Sequence, residues 1–348
     1  MVFSCKPYEV QHRVIDTSLL ASRYSFLPQS LGLRTQALKL RFVSPDIKGH
    51  FLKQHIRMQD IFARIGGGPP GPATAAVRKG SIFLRAFIGE TVSLVFAPYF
   101  CKNNALYDAV SERPLKRLTC ERVEETFEFD RSEKWKVKLI PTLCPHCGWD
   151  LKGEKQSCVL FCPNCDSAWE VFGTGFKAVD YGIITAPAGQ ILYVPFWRMK
   201  ADIEGTPLQS YADMIKFTNL PKAIQMEWDE KELFFWSPAF KIQPKLFLRL
   251  AQQVTVFQPE EKFERGLDGR SVFPVTLPAV EAEEGIAVTL AQVAADKKKV
   301  FPKLADIRIS MREHRLILLP FFVRANELVQ CQMKFSINRN ALQMGKKI

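Results

Sequence analysis

Along residues 31–43 (LGLRTQALKLRFV) apolar and basic positions alternate. Leu33, Ala37 or Leu38, Leu40 and Phe42 share one face, and Arg34, Lys39 and Arg41 the other, which is the period of a half-buried antiparallel strand. Strands and turns are therefore expected up to about Ser44. From His50 to Ile65 the period lengthens: Phe51, Leu52, Ile56, Ile61, Phe62 and Ile65 recur at helical spacing, and Gly66 is placed to cap the helix. Residues 66–80, GGGPPGPATAAVRKG, then interrupt the pattern. Three glycines followed by Pro-Pro-Gly-Pro hold neither a helix nor a central strand, so the stretch reads as a linker. A phosphate loop is excluded there, because no Gly-Lys-Ser/Thr follows and the prolines lack the N–H groups such a loop needs.

Downstream, one pattern recurs: an apolar strand, a proline, then an apolar and usually aromatic pair. Its copies are SLVFAPYF (Pro98), QILYVPFW (Pro195), LFFWSPAF (Pro238) and RLILLPFF (Pro320), with a weaker FPVTLPAV (Pro278). RYSFLPQS around Pro28 reads as a degenerate copy. From Pro195 onward the spacings are 43, 40 and 42 residues, the regularity of duplicated supersecondary units. A proline removes a ladder donor, so each copy is expected to end or bend at a sheet edge. The aromatics read first as packing residues. Adjacent strand residues face opposite ways, however, so Phe196–Trp197 and Phe321–Phe322 are also candidates for a face covered by a partner. Between the copies, Pro207 to Phe217 predicts a short helix. Gly285 to Lys299 predicts a longer one, with Glu281, Glu283 and Glu284 before it and Lys297–Lys299 at its end, as the helix dipole favours.

Two C-x-x-C turns stand out from these patterns. Cys144-Pro145-His146-Cys147 and Cys162-Pro163-Asn164-Cys165 each place two thiols on one tight turn, with fourteen residues between the turns. Four thiolates in a tetrahedron are a zinc set, and two such turns facing each other across a short β-ribbon close it. Pro145 and Pro163 stiffen the turns and Gly148 suits the first. His146 is expected to point outward, and Trp149 and Trp169 to shield the sulfurs. Cys158, four residues before Cys162, is expected on the same strand face as Cys162. The stretch CPHCGWDL…CVLFCPNCDSAWE resembles a rubredoxin-like, four-cysteine zinc ribbon over residues 140–172. The resemblance implies a structural metal site of Cys144, Cys147, Cys162 and Cys165, with iron as the alternative metal. Such ribbons occur in proteins of many functions, so the resemblance identifies a module and not a job.

Composition narrows the class. The 348 residues are 47% hydrophobic and 24% charged, the balance of a globular chain long enough for two or three domains. Twenty-seven Phe against seven Tyr puts the aromatic weight in apolar settings. MVFSCKPYEVQHR has no apolar segment of a secretory leader, and the longest uncharged run, 181–197, is broken by Gly and Pro. A cytoplasmic protein without a transmembrane segment is expected, and the five remaining cysteines show no disulfide pattern. Net charge is +12, which draws a protein toward nucleic acid or anionic surfaces, with Arg34, Lys39 and Arg41 as candidate contacts. Yet residues 144–172 carry −2, so the ribbon is the one acidic segment.

Catalytic signatures are missing. The histidines (His12, His50, His55, His146 and His314) fall at no ligand or nucleophile spacing, and no G-x-S-x-G, G-x-G-x-x-G or H-E-x-x-H occurs. Glu121, Glu124, Glu125, Glu128 and Asp130 alternate at their end with Phe127 and Phe129, as on a solvent-facing strand. The expected protein is α+β and β-rich, with duplicated strand units of about 40–43 residues and an inserted four-cysteine zinc ribbon. Its segments are a basic N-terminal 1–65, a linker 66–80, a first body part 81–139, the ribbon 140–172 and a repeat body 173–348. The expected function is a non-catalytic scaffold or assembly protein that binds a protein partner or itself. The alternatives are nucleic-acid binding and rubredoxin-like electron transfer through iron.

Overall fold

A computed structural model describes residues 2–6, 9–13, 84–89, 96–118, 129–130 and 139–345 except 207, 260, 261 and 268, together with scattered residues between 24 and 60. Contacts divide the chain into two compact units. One comprises Met1–Arg13, Pro70–Glu90 and Lys138–Ile348, and the other Val14–Pro69 and Thr91–Val137. In chain order the strands are β1 (Val2–Lys6), β2 (Glu9–Arg13), β3 (Phe51–Leu52), β4 (Leu84–Phe87), β5 (Tyr99–Lys102), β6 (Ala105–Asp108), β7 (Pro114–Arg117), β8 (Phe129–Asp130), β9 (Val159–Phe161) and β10 (Ala168–Phe172). They continue with β11 (Gly175–Val179), β12 (Tyr181–Ile184), β13 (Ile191–Glu204), β14 (Phe235–Pro238), β15 (Phe263–Glu264), β16 (Ser271–Val272), β17 (Arg308–Val323), β18 (Glu327–Gln330) and β19 (Ser336–Asn338). The helices are α1 (Tyr211–Thr218), α2 (Glu227–Glu230), α3 (Pro244–Phe257), α4 (Ala279–Val293), α5 (Lys297–Leu304) and α6 (Arg339–Gly345). The chain is thus mixed α/β and strand-rich, built from several sheets.

The larger unit is centred on β13 and β17, which pair antiparallel from Ile191↔Phe322 to Glu204↔Arg308 with one irregularity at Lys200/Ala201. Both read as continuous apolar runs because both faces are covered: Val194, Phe196, Trp197, Leu316–Leu319 and Phe321 are fully buried. They anchor an eight-stranded sheet with β12, β14, β15, β16, β18 and β19. Helix α4 is buried nearly all round, and it packs against α3, α5, β14, β17 and the strands β1 and β4. At Gly285 an added Cβ would come 3.3 Å from Ile88 and 3.8 Å from Phe247, so the glycine lets α4 approach its neighbours closely.

The prolines take unexpected positions. Pro195 and Pro320 do not end strands; they lie inside β13 and β17. The carbonyl of Pro195 accepts from Ala239 N–H (3.1 Å) and that of Pro320 from Cys331 N–H (3.2 Å), so both prolines turn their nitrogens away from the β13–β17 ladder. On that outer side of β13 the neighbour changes from parallel β16, at Leu192–Tyr193, to antiparallel β14, at Phe196–Met199. On the outer side of β17 it changes from parallel β12, at Leu316–Leu318, to antiparallel β18, at Phe321–Val323. Each proline therefore sits at the gap between two partner strands, where no donor is required. The other copies differ in setting: Pro98 precedes β5, Pro238 is the last residue of β14, and Pro278 precedes α4.

Local sequence also misplaced several elements. Leu38 N–H donates to Arg34 O (2.8 Å), a helical turn where alternation predicted a strand. The helix expected from His50 begins instead with β3. The helix expected over 285–299 is two: α4 begins at Ala279, ahead of the acidic residues, and Lys297–Lys299 open α5 behind the N-cap Asp296. The lysines therefore stand at a helix start and not at the dipole's negative end. The short helix expected from Pro207 begins at Tyr211, where Ser210 and Asp213 form a capping box. The linker 66–80 lies outside the described residues, as does most of the acidic stretch ending at Asp130.

The smaller unit contains the antiparallel sheet β5–β6–β7 and the pair β3–β8. Leu106 and Leu118 form its core with Tyr24, Phe26, Leu52, Tyr99 and Leu115.

Candidate metal centre

The two C-x-x-C turns are built alike. In the first, Gly148 N–H donates to Cys144 O (2.8 Å) and Cys144 N–H to Trp149 O (2.7 Å), with Gly148 in the left-handed region at φ 74°. In the second, Cys162 N–H donates to Ser167 O (2.8 Å), and Asp166 takes the left-handed position at φ 50°. Asp tolerates that conformation better than most residues, and here its carboxylate also accepts from Leu267 N–H (3.3 Å). The segment between the turns is held by reciprocal bonds of Lys152 with Phe161 and by the sheet β9–β10–β11.

Folded this way, Cys144, Cys147, Cys162 and Cys165 bring their sulfurs within 4.8 Å of one another. The Sγ–Sγ distances are 3.6 Å for Cys144–Cys165 and 3.4 Å for Cys147–Cys162. These are far longer than a disulfide, and the cysteines are free. They lie close to the roughly 3.8 Å edge of a tetrahedron whose metal–sulfur bonds are about 2.3 Å. The set can hold a metal ion, and four thiolates fill every position of a tetrahedral ion. At Cys144 burial pushes the thiol pKa up, but hydrogen bonds with Ser167 and from the backbone N–H groups of Cys147 and His146 outweigh it and lower the value to about 6. At Cys162 burial prevails and raises the value to about 12. A coordinated dication would deprotonate both outright.

Ser167 escaped sequence reasoning. Its Oγ lies 3.0 Å from Cys165 Sγ and 3.5 Å from Cys144 Sγ, and it accepts from Trp169 Nε1–H at 2.7 Å. With its lone pair engaged by tryptophan, the hydroxyl proton is left for a sulfur. A hydroxyl two residues past the last cysteine was the available signal. Around the sulfurs, Leu151 and Leu160 are buried and Trp169 and Phe176 pack on them. Trp149 is 56% exposed, so only Trp169 acts as the expected shield. His146 faces solvent as expected. Cys158 does not share the site: it packs on the main core, its thiol donates to Val275 O (3.4 Å), and burial pushes its pKa up to about 12.

The remaining candidates are placed elsewhere. Phe196, Trp197 and Phe321 are fully buried in the core, and Phe322 is half-buried. Trp197 donates to Leu277 O (2.8 Å) and meets His314 edge-on. Arg34 forms a two-pronged pair with the buried Asp108 (Nη1–Oδ1 2.9 Å), so its guanidinium serves the fold of the smaller unit. Lys39 and Arg41 lie outside the described residues. Among the described helices none is long and apolar enough to cross a membrane. No family model, no curated protein and no solved structure matches the chain.

Proposed function

We propose that residues 140–172 form a structural zinc ribbon, and that the protein is a non-catalytic scaffold or assembly protein whose ribbon presents a surface to a protein partner. The observation that carries this is the pairing of a closed four-thiolate set with apolar side chains left in solvent on the same module. Leu143 (49%), Trp149 (56%) and Phe172 (71%) are exposed beside a site that offers no open coordination position to a substrate. Exposed large apolar groups on a small rigid element are the usual anchors of protein interfaces. Hydrogen bonds from Cys158 N–H to Val275 O and from Leu267 N–H to Asp166 fix the ribbon to the body, so a partner bound there would be held in a defined orientation. This reading includes an internal duplication. The matching settings of Pro195 and Pro320 favour β12–β13–β14 and β16–β17–β18 as the two copies, each lending its first strand to the other's long strand. It replaces a uniform unit of about 40 residues.

A photo-crosslinking residue at position 149 or 172 tests the interface in the native host. One protein adduct common to both positions, missing when the probe replaces the exposed Met226 and lost with Cys162→Ser, is the expected result. Adducts no stronger than at position 226 would refute the partner surface. Iron remains the rival metal, since four thiolates suit it equally. Elemental analysis of protein from iron-replete cells should find one zinc per chain and a colourless solution, and a visible iron–thiolate absorption would establish the electron-transfer alternative instead.

A further inference from the structure

The sheet β5–β6–β7 of the smaller unit has two unlike faces. Register places Tyr99, Cys101, Leu106 and Asp108 on one face, and all but the exposed Cys101 are packed or buried against Leu118, Phe26 and Arg34. The opposite face carries Phe100, Lys102, Ala105, Tyr107 and Arg117, from the pairs Phe100↔Tyr107, Lys102↔Ala105 and Ala105↔Arg117. Phe100 and Tyr107 stack almost parallel there, with ring centroids 5.2 Å apart and planes 8° apart. Phe100 remains 40% exposed, and Lys102 and Arg117, both exposed, lie in the next row of the same face with Ala105 between them. Arg113 is exposed on the adjacent loop, and among the described residues of this sheet Glu112 is the one exposed acid; Lys116, paired with Leu106, lies on the packed face with its Nζ over Phe26.

The turns of the sheet are fixed by specific local contacts. Asn103 and Asn104, both at positive φ (49° and 54°), make the two-residue turn joining β5 to β6. Asp108 ties the β6–β7 connection by accepting from Val110 N–H (3.0 Å) and Ser111 Oγ–H (2.9 Å), and it engages Arg34 on the packed side. A preorganised aromatic pair on a sheet face that also carries Lys102 and Arg117, with no acid on that face among the described residues, suits a ligand with π faces and regularly spaced negative charge. Duplex DNA and RNA hide their base faces; a single strand presents both features.

We propose that this face binds single-stranded nucleic acid, with bases stacking on Phe100 and Tyr107 and phosphates meeting Lys102 and Arg117. This sheet belongs to the smaller unit and the ribbon to the larger one, and the proposal does not depend on the ribbon's partner. It moves the nucleic-acid contact away from Arg34, which the fold itself occupies, to the exposed Phe100, Lys102 and Arg117 beside the half-buried Tyr107.

The test uses the full chain, freed of nucleic acid, and fluorescein-labelled oligo-dT and oligo-U of about 16 nucleotides, the upper range for one small β-fold. Anisotropy is read between about 50 and 200 mM salt, with a duplex of equal length beside them. Saturable binding that prefers the single strand and falls steeply with salt is expected. Phe100→Ala should weaken it about tenfold, and Phe100→Trp should restore it. Lys102→Glu with Arg117→Glu should lower the salt slope by about two. Near-ultraviolet circular dichroism checks that each variant is folded. Preference between dT and U decides whether DNA or RNA is the better ligand. No binding at the lowest salt overturns the proposal. So does binding of duplex as tight as single strand and indifferent to Phe100→Ala, or binding of anionic lipid vesicles without binding of either oligonucleotide.

Discussion

Around Cys144 and Cys162 the buried apolar side chains are few: Leu151 and Leu160, with Trp169 and Phe176 packed on them. Around β13 and β17 an unbroken apolar layer runs through Val194, Phe196, Trp197, Leu316–Leu319 and Phe321 to α3 and α4. A strand pair of the second kind is stabilised by area removed from water, roughly 25 cal/mol per Å². A module of about thirty residues cannot gather enough such area to offset its chain entropy, and a metal held by the four cysteines would supply the difference. Local turn geometry carries the first region and long-range packing the second, so the two should fail separately.

The largest expected effect follows Cys162→Ser. Metal binding to such sites is worth on the order of 10–16 kcal/mol and is coupled to folding. The variant should lose its metal and the amides of residues 142–172 should exchange rapidly, while β13 and β17 stay protected. Loss of protection throughout the larger unit would show that the module and body are one cooperative element. Trp197→Ala reverses the test. Removing a fully buried indole and its bond to Leu277 O should cost about 3–5 kcal/mol in denaturant unfolding, yet leave the metal content unchanged in the fraction that remains folded.

A third region supplies a smaller, pH-dependent effect. The Arg34 guanidinium beside Asp108, with help from Val110 N–H and Ser111, holds the Asp108 carboxyl down at about 2. An unfolded aspartate titrates near 3.9, so the contribution, on the order of 2 kcal/mol, is complete above about pH 4 and is lost as pH falls through about 2. In Asp108→Asn that part of the acid dependence should vanish from the pH profile of thermal unfolding. Its persistence would mean that another carboxylate carries it. Least affected should be Ser167→Ala. It removes one hydroxyl shared between Trp169 and the sulfurs, worth about 0.5–1.5 kcal/mol, and should show as faster metal loss to a chelator with no change in the body's stability.

The four-cysteine cluster was legible because a C-x-x-C turn is local: four residues place both thiols, and no distant partner has to be known. Helix α1 was nearly legible for the same reason, since Ser210 and Asp213 cap it within one turn. The failures were non-local. An alternating pattern at residues 31–43 read as a strand, whereas Arg34 lies on a helical turn and finds Asp108 seventy-four residues later. The proline-aromatic copies share a local pattern, yet their settings differ with the neighbours each receives.

Sequence by itself determined the four-cysteine cluster, the turns that carry it and a strand-rich mixed α/β composition, because these depend on chemistry within a few bonds or on totals. Tertiary structure alone decided that Phe196, Trp197 and Phe321 are core, and that Pro195 and Pro320 stand where one outer strand gives way to another. It also decided that the exposed Phe100 stacks on the half-buried Tyr107. A strand pattern states only that two faces differ. Which face meets water is decided by what the rest of the chain lays against it.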